Sequence, residues 1–522
     1  MENFAVKKNK FLVTFAFVIL SLISFSQNDG HGFVDPREAK DDFAHTDYLA
    51  AMKVYKELLL QDSTNVEYHY KLALCYLYTH IDKEAAVSEL KYATAHNYSN
   101  QAWFDLGKAE HYADHFDDAI KAFNHFKIKA SNKDAQEADH EIEMCNNGKQ
   151  LIQFPVNVTF QNVGPEINTP FPDYYPFVPD DESFMIFTSR RKECMGGQKE
   201  MDGYYSSDIF MSTVVNGKWT KPKNLGPAIN TTLDEQAVGL SPDGNKMIVY
   251  LDHIDKYGDL YESDRKGKNF ERIVKMNENI NAGFETSGSI SPDGNTFFFA
   301  SERSGGYGET DIYMSRKLPN GEWALPQNLG PNINTKYKED FPRLSDDGKT
   351  LYFSSQGHSS MGDFDIFKAE WDPDSNTWSE PVNLGYPINT SGDDRSICFV
   401  DNNRTAYMSS ARDGGYGDYD IYRITFNDAN QRYEIVTGKV LTSDSVKGVA
   451  SQITAFNKKT NVTFNYTPIP DNGKYVMALK PGIYDITISA DGYQPIKDVV
   501  VVMDMSSFKP ESKKNYILQK GK

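Results

Sequence analysis

The amino-acid sequence predicts a multidomain protein with an all-α helical array, an all-β propeller and a small β-sandwich. Three observations predict this class. An eight-residue phrase recurs through the middle of the chain with a period of roughly fifty residues, which indicates a repeat architecture. Helical spacing of apolar residues precedes the repeats, and short alternating strands with tight turns follow them.

The repeated phrase reads Asn-Leu-Gly-Pro-Asn-Ile-Asn-Thr at 328–335. Related copies begin at Asn162, Asn224 and Asn383, and a degenerate copy occupies 277–281. A polar turn, an apolar aromatic run and an Asp-Ile/Leu-aromatic triplet accompany each copy, as expected of strands joined by tight turns. These three strands, with the one that leads into the phrase, make a four-stranded propeller blade.

Five sets of the first three strands occur, but only four internal copies of the fourth. Residues 156–160 are predicted to supply the missing strand and to close a five-bladed ring, which removes free sheet edges. A six-bladed ring is the alternative if residues 433–436 complete a blade of their own.

The aspartates of the triplets are predicted to hold each blade by accepting hydrogen bonds from backbone amides. They are Asp208, Asp259, Asp311, Asp365 and Asp420. A cation bound by these carboxylates in the central channel is the alternative.

The Ser-Pro-Asp-Gly turns at 241–244 and 291–294 carry a family resemblance. So does the phrase Gly-Gly-Tyr-Gly-x-x-Asp-Ile-Tyr at 305–313 and 414–422. Both resemble the WD40-like PD40 repeats of TolB-type and Bacteroidetes envelope proteins, which implies a propeller over 152–432.

Residues 27–151 are predicted to form the helical domain. Trp103, Leu106, Gly107, Ala119 and Phe123 fit the tetratricopeptide (TPR) template. The concave face of such an array is a peptide-binding surface, and its predicted partner-binding residues are Glu67, Tyr70, Leu74, Leu77, Tyr78, Gln101, Phe104, Lys108, His111 and Tyr112. The alternative is that the aromatic residues pack against an adjoining domain.

The N-terminus predicts export. A basic segment with Lys7, Lys8 and Lys10 precedes a short apolar run and small residues, so residues 1–26 are expected to be a signal peptide cleaved near Ser26. There is no cysteine near that point, so a lipid anchor is not expected. No later segment is long enough to span a membrane. The formal charge of −18 disfavours nucleic acid and anionic membrane surfaces as partners.

The C-terminal residues 433–522 predict a small antiparallel sandwich, since strands alternate with Asn-Gly and Pro-Gly turns. The Pro481-Gly482-Ile483-Tyr484 and Gly492-Tyr493 phrases resemble the carboxypeptidase regulatory-like, transthyretin-type domain. That resemblance implies a structural or adhesive spacer.

The sequence offers no positive sign of an enzyme or a cofactor. His111 and His115 have metal-ligand spacing on a helix but no further ligand at a recognisable distance, so no metal is expected. Neither a nucleophile elbow nor a metalloprotease motif is present. Cys194 and Cys398 fall in neighbouring blades, where free buried thiols are favoured over a disulfide.

The order of the three domains is similar to that of PorE-like proteins of the Bacteroidetes type IX secretion system and of OmpA-family envelope proteins. This chain ends at Lys522 without an OmpA-like module, so contact with peptidoglycan is not expected. The resemblance implies a non-catalytic periplasmic scaffold or adaptor that binds envelope or secretion-machinery proteins, and reaches the outer membrane only through them. The alternative is a TolB-like propeller that binds a glycan or a peptide in its central channel.

Overall fold

The structure is a computed structural model of the 522-residue chain. It describes residues 34–253, 256–345, 347–400, 403–412, 414–428, 433–443, 445–503 and 509–521. The predicted signal peptide lies outside the described residues. The described part is mostly β, with several curled sheets, and carries an array of seven helices on its N-terminal side.

The helices, together called the array, are α1 Pro36–Ala44, α2 Tyr48–Gln61, α3 Val66–Thr79, α4 Lys83–Ala95, α5 Gln101–Tyr112, α6 Phe116–Lys127 and α7 Asn132–Leu151. Each helix packs against the next one along the chain. Between α5 and α6, a Cβ atom at Gly107 would come within 2.5 Å of the Phe123 ring. The glycine therefore lets an aromatic side chain lie directly on the helix backbone.

Strands β1 to β23 follow the array. They are β1 Val158–Asn162, β2 Asp173–Phe177, β3 Phe184–Ser189, β4 Asp208–Val215, β5 Lys218–Trp219, β6 Lys223–Asn224, β7 Glu235–Leu240, β8 Lys246–His253, β9 Lys256–Lys266, β10 Asn269–Phe270, β11 Val274–Lys275, β12 Glu285–Ile290, β13 Thr296–Ser301, β14 Asp311–Arg316, β15 Gln327–Asn328, β16 Glu339–Leu344, β17 Thr350–Ser355, β18 Asp365–Asp372, β19 Thr377–Trp378, β20 Val382–Asn383, β21 Ile397–Val400, β22 Thr405–Ser410 and β23 Asp420–Phe426.

These strands form five antiparallel sheets, numbered here in chain order. The first is β2-β3-β4 with β5 and β6, the second β7-β8-β9 with β10 and β11, the third β12-β13-β14-β15, the fourth β16-β17-β18 with β19 and β20, and the fifth β21-β22-β23-β1. In the fifth sheet β1 pairs with β23, Val158 lying opposite Phe426. The predicted pairing of an N-terminal strand with the last sheet is thus confirmed.

Hydrogen bonds lead from each sheet to the next and from the fifth back to the first. The donor and acceptor pairs are Ala237 N to Thr188 Oγ1 (2.9 Å), Asn277 Nδ2 to Trp323 O (2.9 Å), Phe341 N to Ser287 Oγ (2.9 Å), Arg343 Nη1 to Cys398 Sγ (2.8 Å) and Tyr175 N to Ser409 Oγ (3.3 Å). We call this closed arrangement the ring.

The last asparagine of the repeated phrase forms hydrogen bonds to the last strand of a sheet and to the strand beside it. Asn334 donates from Nδ2 to the Ile312 carbonyl oxygen (3.0 Å) and to Asn328 Oδ1 (2.8 Å). Its own Oδ1 accepts from the Ile312 amide at 2.8 Å. Asn168, Asn230 and Asn389 make the same contacts. Since a buried amide must be hydrogen-bonded, the phrase recurs wherever this junction recurs.

The remaining strands are β24 Glu434–Thr442, β25 Ser445–Gly448, β26 Gln452–Asn457, β27 Thr463–Tyr466, β28 Lys474–Leu479, β29 Gly482–Ser489, β30 Ile496–Val502, β31 Glu511–Lys513 and β32 Tyr516–Leu518. They form two sheets that share one apolar core. Glu434 lies opposite Leu479 in this domain. The backbone of β24 is therefore paired within this domain and not with the five sheets of the ring.

All four cysteines are free and buried, with Cys194 and Cys398 in the same core cluster. Among the described helices, none combines the length and the apolar character that crossing a membrane requires.

Candidate ligand site at the mouth of the ring

Four of the five triplet aspartates have their carboxylates committed to the backbone. Asp311 accepts from the amides of Tyr307 (2.6 Å) and Gly308 (3.0 Å) and from Asn328 Nδ2 (2.7 Å). Asp208, Asp365 and Asp420 accept backbone amides in the corresponding loops. Because several N–H donors already surround them, these carboxylates act as supports for the loops.

Asp259 differs from the other four. It pairs with Lys275 Nζ at 2.6 Å, and His253 Nε2 lies 3.3 Å away. Lys275 occupies the place that Asn328 has in the third sheet, immediately before the degenerate copy of the phrase. Where the phrase loses its first asparagine, an ion pair replaces the amide contact.

The ten residues predicted for the concave face of the array do not form one surface. Tyr70, Leu74, Leu77 and Phe104 are buried within the helical cores. A buried side chain cannot contact a partner, so the prediction is corrected for these four. Those that reach solvent at least in part are Glu67, Tyr78 and Gln101.

The other three predicted residues lie against the ring. Tyr112 donates its hydroxyl to Asp363, Lys108 Nζ lies 3.4 Å from the same carboxylate, and His111 Nε2 lies 2.8 Å from the Met361 carbonyl oxygen. The alternative, that such residues pack against an adjoining domain, therefore describes Lys108, His111 and Tyr112.

A cavity of about 330 Å³ opens at the mouth of the ring, on the side where the array contacts it. We call it the mouth cavity. Its lining residues come from the first, second and fifth sheets and their loops: Pro172, Tyr174, Tyr175, Arg190, Tyr204, Gln236, Asp393, Arg395, Ser409, Asp418 and Tyr419. Four tyrosines, two arginines and two aspartates thus converge on one space.

The floor of the mouth cavity includes an aromatic contact across the ring. Tyr175 of the first sheet and Phe341 of the fourth have ring centroids 4.5 Å apart. Both residues have positive φ, +53° and +48°, at irregularities of the innermost strands β2 and β16. Because a bulky residue with positive φ carries backbone strain, the two rings are held at the centre at an energetic cost.

One wall of the mouth cavity is a long loop of the first sheet, residues 190–207. Arg190 fixes it by donating to Asp202 (2.6 Å), to Glu200 (2.7 Å) and to the Tyr205 carbonyl oxygen (2.8 Å). The loop then presents Tyr204 to the cavity. The array also contacts this loop, since a Cβ atom at Gly203 would lie 2.6 Å from the Asp47 carboxylate.

Each of the two aspartates of the mouth cavity has one carboxylate oxygen without a donor, a feature that Asp208 of the triplet set shares. Asp393 accepts from Arg395 Nε at 2.7 Å through Oδ2, but its buried Oδ1 has no hydrogen-bond partner. The buried Oδ1 of Asp418 has none either. Burial raises the pKa of Asp418 to about 7, against the opposing effect of Arg190. Burial also raises the pKa of Asp393 to about 6, although Arg395 lowers it. A buried carboxylate without a donor is costly, and such groups mark candidate sites.

A second cavity of about 340 Å³ meets the mouth cavity at Tyr204 and Asp418, which line both. Its other walls are Leu49, Thr79, His80, Ile81 and Lys83 of the array, and Pro170, Ala411, Arg412 and 414–417 of the ring. Burial lowers the pKa of His80 to about 4, so this imidazole is neutral at pH 7. The two cavities therefore adjoin at Tyr204 and Asp418, and the second of them lies between array and ring.

A larger groove of about 670 Å³ lies elsewhere, between the third and fourth sheets. Trp371, Trp378 and Phe298 line it, and Arg316 is its one charged lining residue. Size alone does not favour this groove as the site, because no carboxyl group with a raised pKa lines it, as Asp393 and Asp418 line the mouth cavity.

Within the described ranges no group of histidine, cysteine, aspartate and glutamate side chains is arranged to hold a metal ion. His111 and His115 turn to different partners, Glu141 and Glu110. Sequence reasoning did not find the mouth cavity, although one signal was present. The loop 190–207 is much longer than its counterparts 302–310 and 411–419, and it lengthens the first repeat.

No family model and no curated protein matches the chain. Solved structures similar to it include TolB from Acinetobacter baumannii, with 16% identity, a TM-score of 0.33, and coverage of 56% of this chain and 70% of that one. A putative TolB from Agrobacterium tumefaciens has 16% identity, a TM-score of 0.29, and coverage of 52% and 98%. An endo-arabinase from Bacteroides thetaiotaomicron has 13% identity, a TM-score of 0.33, and coverage of 52% and 98%. The neighbours thus include TolB-like propeller proteins, and at these values they carry no statement about ligand or activity.

Proposed function

We propose that the protein is a non-catalytic binding protein of the periplasm, and that its ring takes a ligand in the mouth cavity beneath the array. One observation carries the proposal: two aspartates with raised carboxyl pKa values, two arginines and four tyrosines line the same cavity. Cavities with a few convergent polar groups and perturbed carboxyl pKa values are the usual form of ligand sites. The signal peptide predicted for residues 1–26 supports export.

This proposal favours the channel-binding alternative over the scaffold hypothesis. The predicted partner surface of the array is largely occupied, by its own core and by the ring. A scaffold role in type IX secretion or gliding motility stays a prediction, with Tyr78 and the residues around it as the exposed remainder of that surface.

Site-specific photocrosslinking in intact cells tests the proposal. A benzophenone amino acid replaces Tyr204 in the mouth cavity, Tyr78 on the array, or Tyr307 as a control. Tyr78 and Tyr307 are 48% and 53% exposed, and Tyr307 lies in a repeated loop of the third sheet. We expect a discrete adduct at position 204 and none at 307. No adduct at 204, with a protein adduct at 78, would contradict the proposal and favour the scaffold.

A further inference from the structure

The chemistry of the mouth cavity narrows the class of its ligand, and this inference rests on the function proposed above. The charged lining side chains are two arginines, Arg190 and Arg395, and two aspartates, Asp393 and Asp418. Their formal charges cancel at pH values above 7, where both carboxyl groups are ionised, although the whole chain carries −18. A wall without net charge offers no electrostatic preference for a cationic or an anionic ligand.

The polar atoms of the wall include both donors and acceptors in close proximity. Arg395 donates to Asp393 Oδ2 at 2.7 Å, while Asp393 Oδ1 stays without a donor. Asp418 Oδ1 is likewise without a donor. Burial and the charges of both carboxylates raise the pKa of Tyr419. A hydroxyl group suits such a wall, because it donates one hydrogen bond and accepts two.

The apolar part of the wall consists mainly of aromatic rings. Tyr174 and Tyr175 meet edge to face with centroids 4.7 Å apart, and Tyr204 and Tyr419 complete the set. Tyrosine offers a flat apolar face together with a hydroxyl at its edge, which suits a ligand with C–H groups on one side and hydroxyls around its rim. Gln236 and Ser409 add neutral polar groups.

We infer that the mouth cavity binds a saccharide, with a sugar ring against the tyrosines and its hydroxyls on Asp393, Asp418 and Arg395. The volume of about 330 Å³ is at the lower end of the range for ligand pockets, which limits the cavity to one small polar unit. The second cavity of about 340 Å³ gives an attached chain a path between array and ring. The ligand is thus an oligosaccharide with one unit inserted in the mouth.

A glycan array probed with the full chain tests this inference, followed by calorimetric titration with the best-bound oligosaccharide and with the tripeptides Gly-Arg-Gly, Gly-Glu-Gly and Gly-Gln-Gly. We expect saturable binding of an oligosaccharide with an affinity that changes less than about twofold between low and high salt, because the ligand is neutral. Asp393→Asn and Tyr204→Ala should each weaken binding at least about tenfold, the cost of one hydrogen bond to a charged group or one aromatic contact.

The matched control is Tyr307→Ala, which removes an exposed tyrosine of the ring far from the mouth cavity and should leave the affinity unchanged. Melting curves of each variant separate lost binding from lost folding. Binding of a charged tripeptide that weakens with salt, or array binding that ignores Asp393→Asn and Tyr204→Ala in folded protein, would overturn the saccharide inference. No binding on the array would also overturn it, whereas the crosslink at Tyr204 decides the proposed binding function separately.

Discussion

Two sets of aspartates lie in the same ring, and they differ in the donors that surround them. Asp311, which represents the triplet aspartates, accepts three N–H groups within 3.0 Å. Asp393 and Asp418 at the mouth each have a buried oxygen that accepts none. The first carboxylate holds a loop, whereas Asp393 and Asp418 line a cavity that a ligand can enter.

The role of an aspartate in this ring therefore depends on its hydrogen-bond partners and not on its burial. Asp311 offsets the cost of its burial with three N–H donors, whereas Asp393 and Asp418 each keep one oxygen without a donor. Natural proteins tend to keep such uncompensated groups at functional sites, where stability is given up for binding.

The largest loss of stability is expected when the hydrogen bonds made by the last asparagine of the repeated phrase are removed. Asn334→Ala removes three hydrogen bonds of a side chain that is 1% exposed and leaves the Ile312 amide without its side-chain acceptor, while the Ile312 carbonyl oxygen keeps the Leu329 amide at 3.1 Å. We expect the free energy of unfolding to fall by about 3 kcal/mol. Urea denaturation followed by fluorescence measures it.

The control for that change is Asn320→Ala in an exposed hairpin, where the side chain bonds only to Glu322. Its cost should stay below about 0.5 kcal/mol. Equal losses for the two alanine variants would show that the repeated asparagines do not hold the sheets.

The aspartates of the mouth cavity should make the stability of the protein depend on pH. The folded-state pKa of Asp418, about 7, is above the ordinary value of 3.8. The stability that this group contributes is therefore complete at pH values below 3.8 and is lost as pH rises through 7. We expect wild-type protein to lose about 1–2 kcal/mol more than Asp418→Asn between pH 4 and pH 8.

Urea midpoints of the two proteins at a series of pH values measure this difference. The comparison with Asp418→Asn cancels the other raised carboxyl groups of the ring, such as Glu235 and Glu339, whose pKa values burial raises to about 7. If the stability of the two proteins changes equally with pH, the cost of burying the Asp418 carboxylate is offset by other groups of the folded protein.

The fold could be predicted to a considerable extent because its determinants are repeated. Asn328 and Asn334 make a junction that recurs in other sheets, so the phrase is visible as a period in the sequence. The N-terminal strand that pairs with β23 followed from counting strands against phrases. The domain to which the strand at Glu434 belongs could not be predicted, because a strand at the end of the repeats is compatible with the propeller and with the C-terminal sandwich.

The mouth cavity could not be predicted in the same way, because its residues occur once. Tyr175 reaches the centre through a positive φ at an irregular strand, which no apolar period encodes. Tyr204 comes from the one long loop of the first repeat, and Asp393 lies near it only when the ring is closed. The array residues Lys108 and Tyr112 look like a free surface until Asp363 of the ring is placed against them.

The smallest effect is expected at the sheet where the repeated pattern is altered. Lys275→Ala removes the ion pair with Asp259, in which the lysine side chain is 52% exposed. Exposed ion pairs contribute little, so we expect a loss of about 0.5 kcal/mol, well below that of Asn334→Ala. Urea denaturation at two salt concentrations checks the value, and a loss as large as that of the asparagine would mean that the ion pair is as structural as the amide junction.

The most direct test replaces one aspartate of each set by its isosteric amide and compares the free energies of unfolding at pH 8. Asp311→Asn places an NH₂ group against amide donors and should cost at least about 2 kcal/mol. Asp418→Asn should leave the stability unchanged or raise it, because no donor loses its acceptor there. A loss at Asp418 equal to that at Asp311 would contradict the division between supporting and ligand-binding carboxylates.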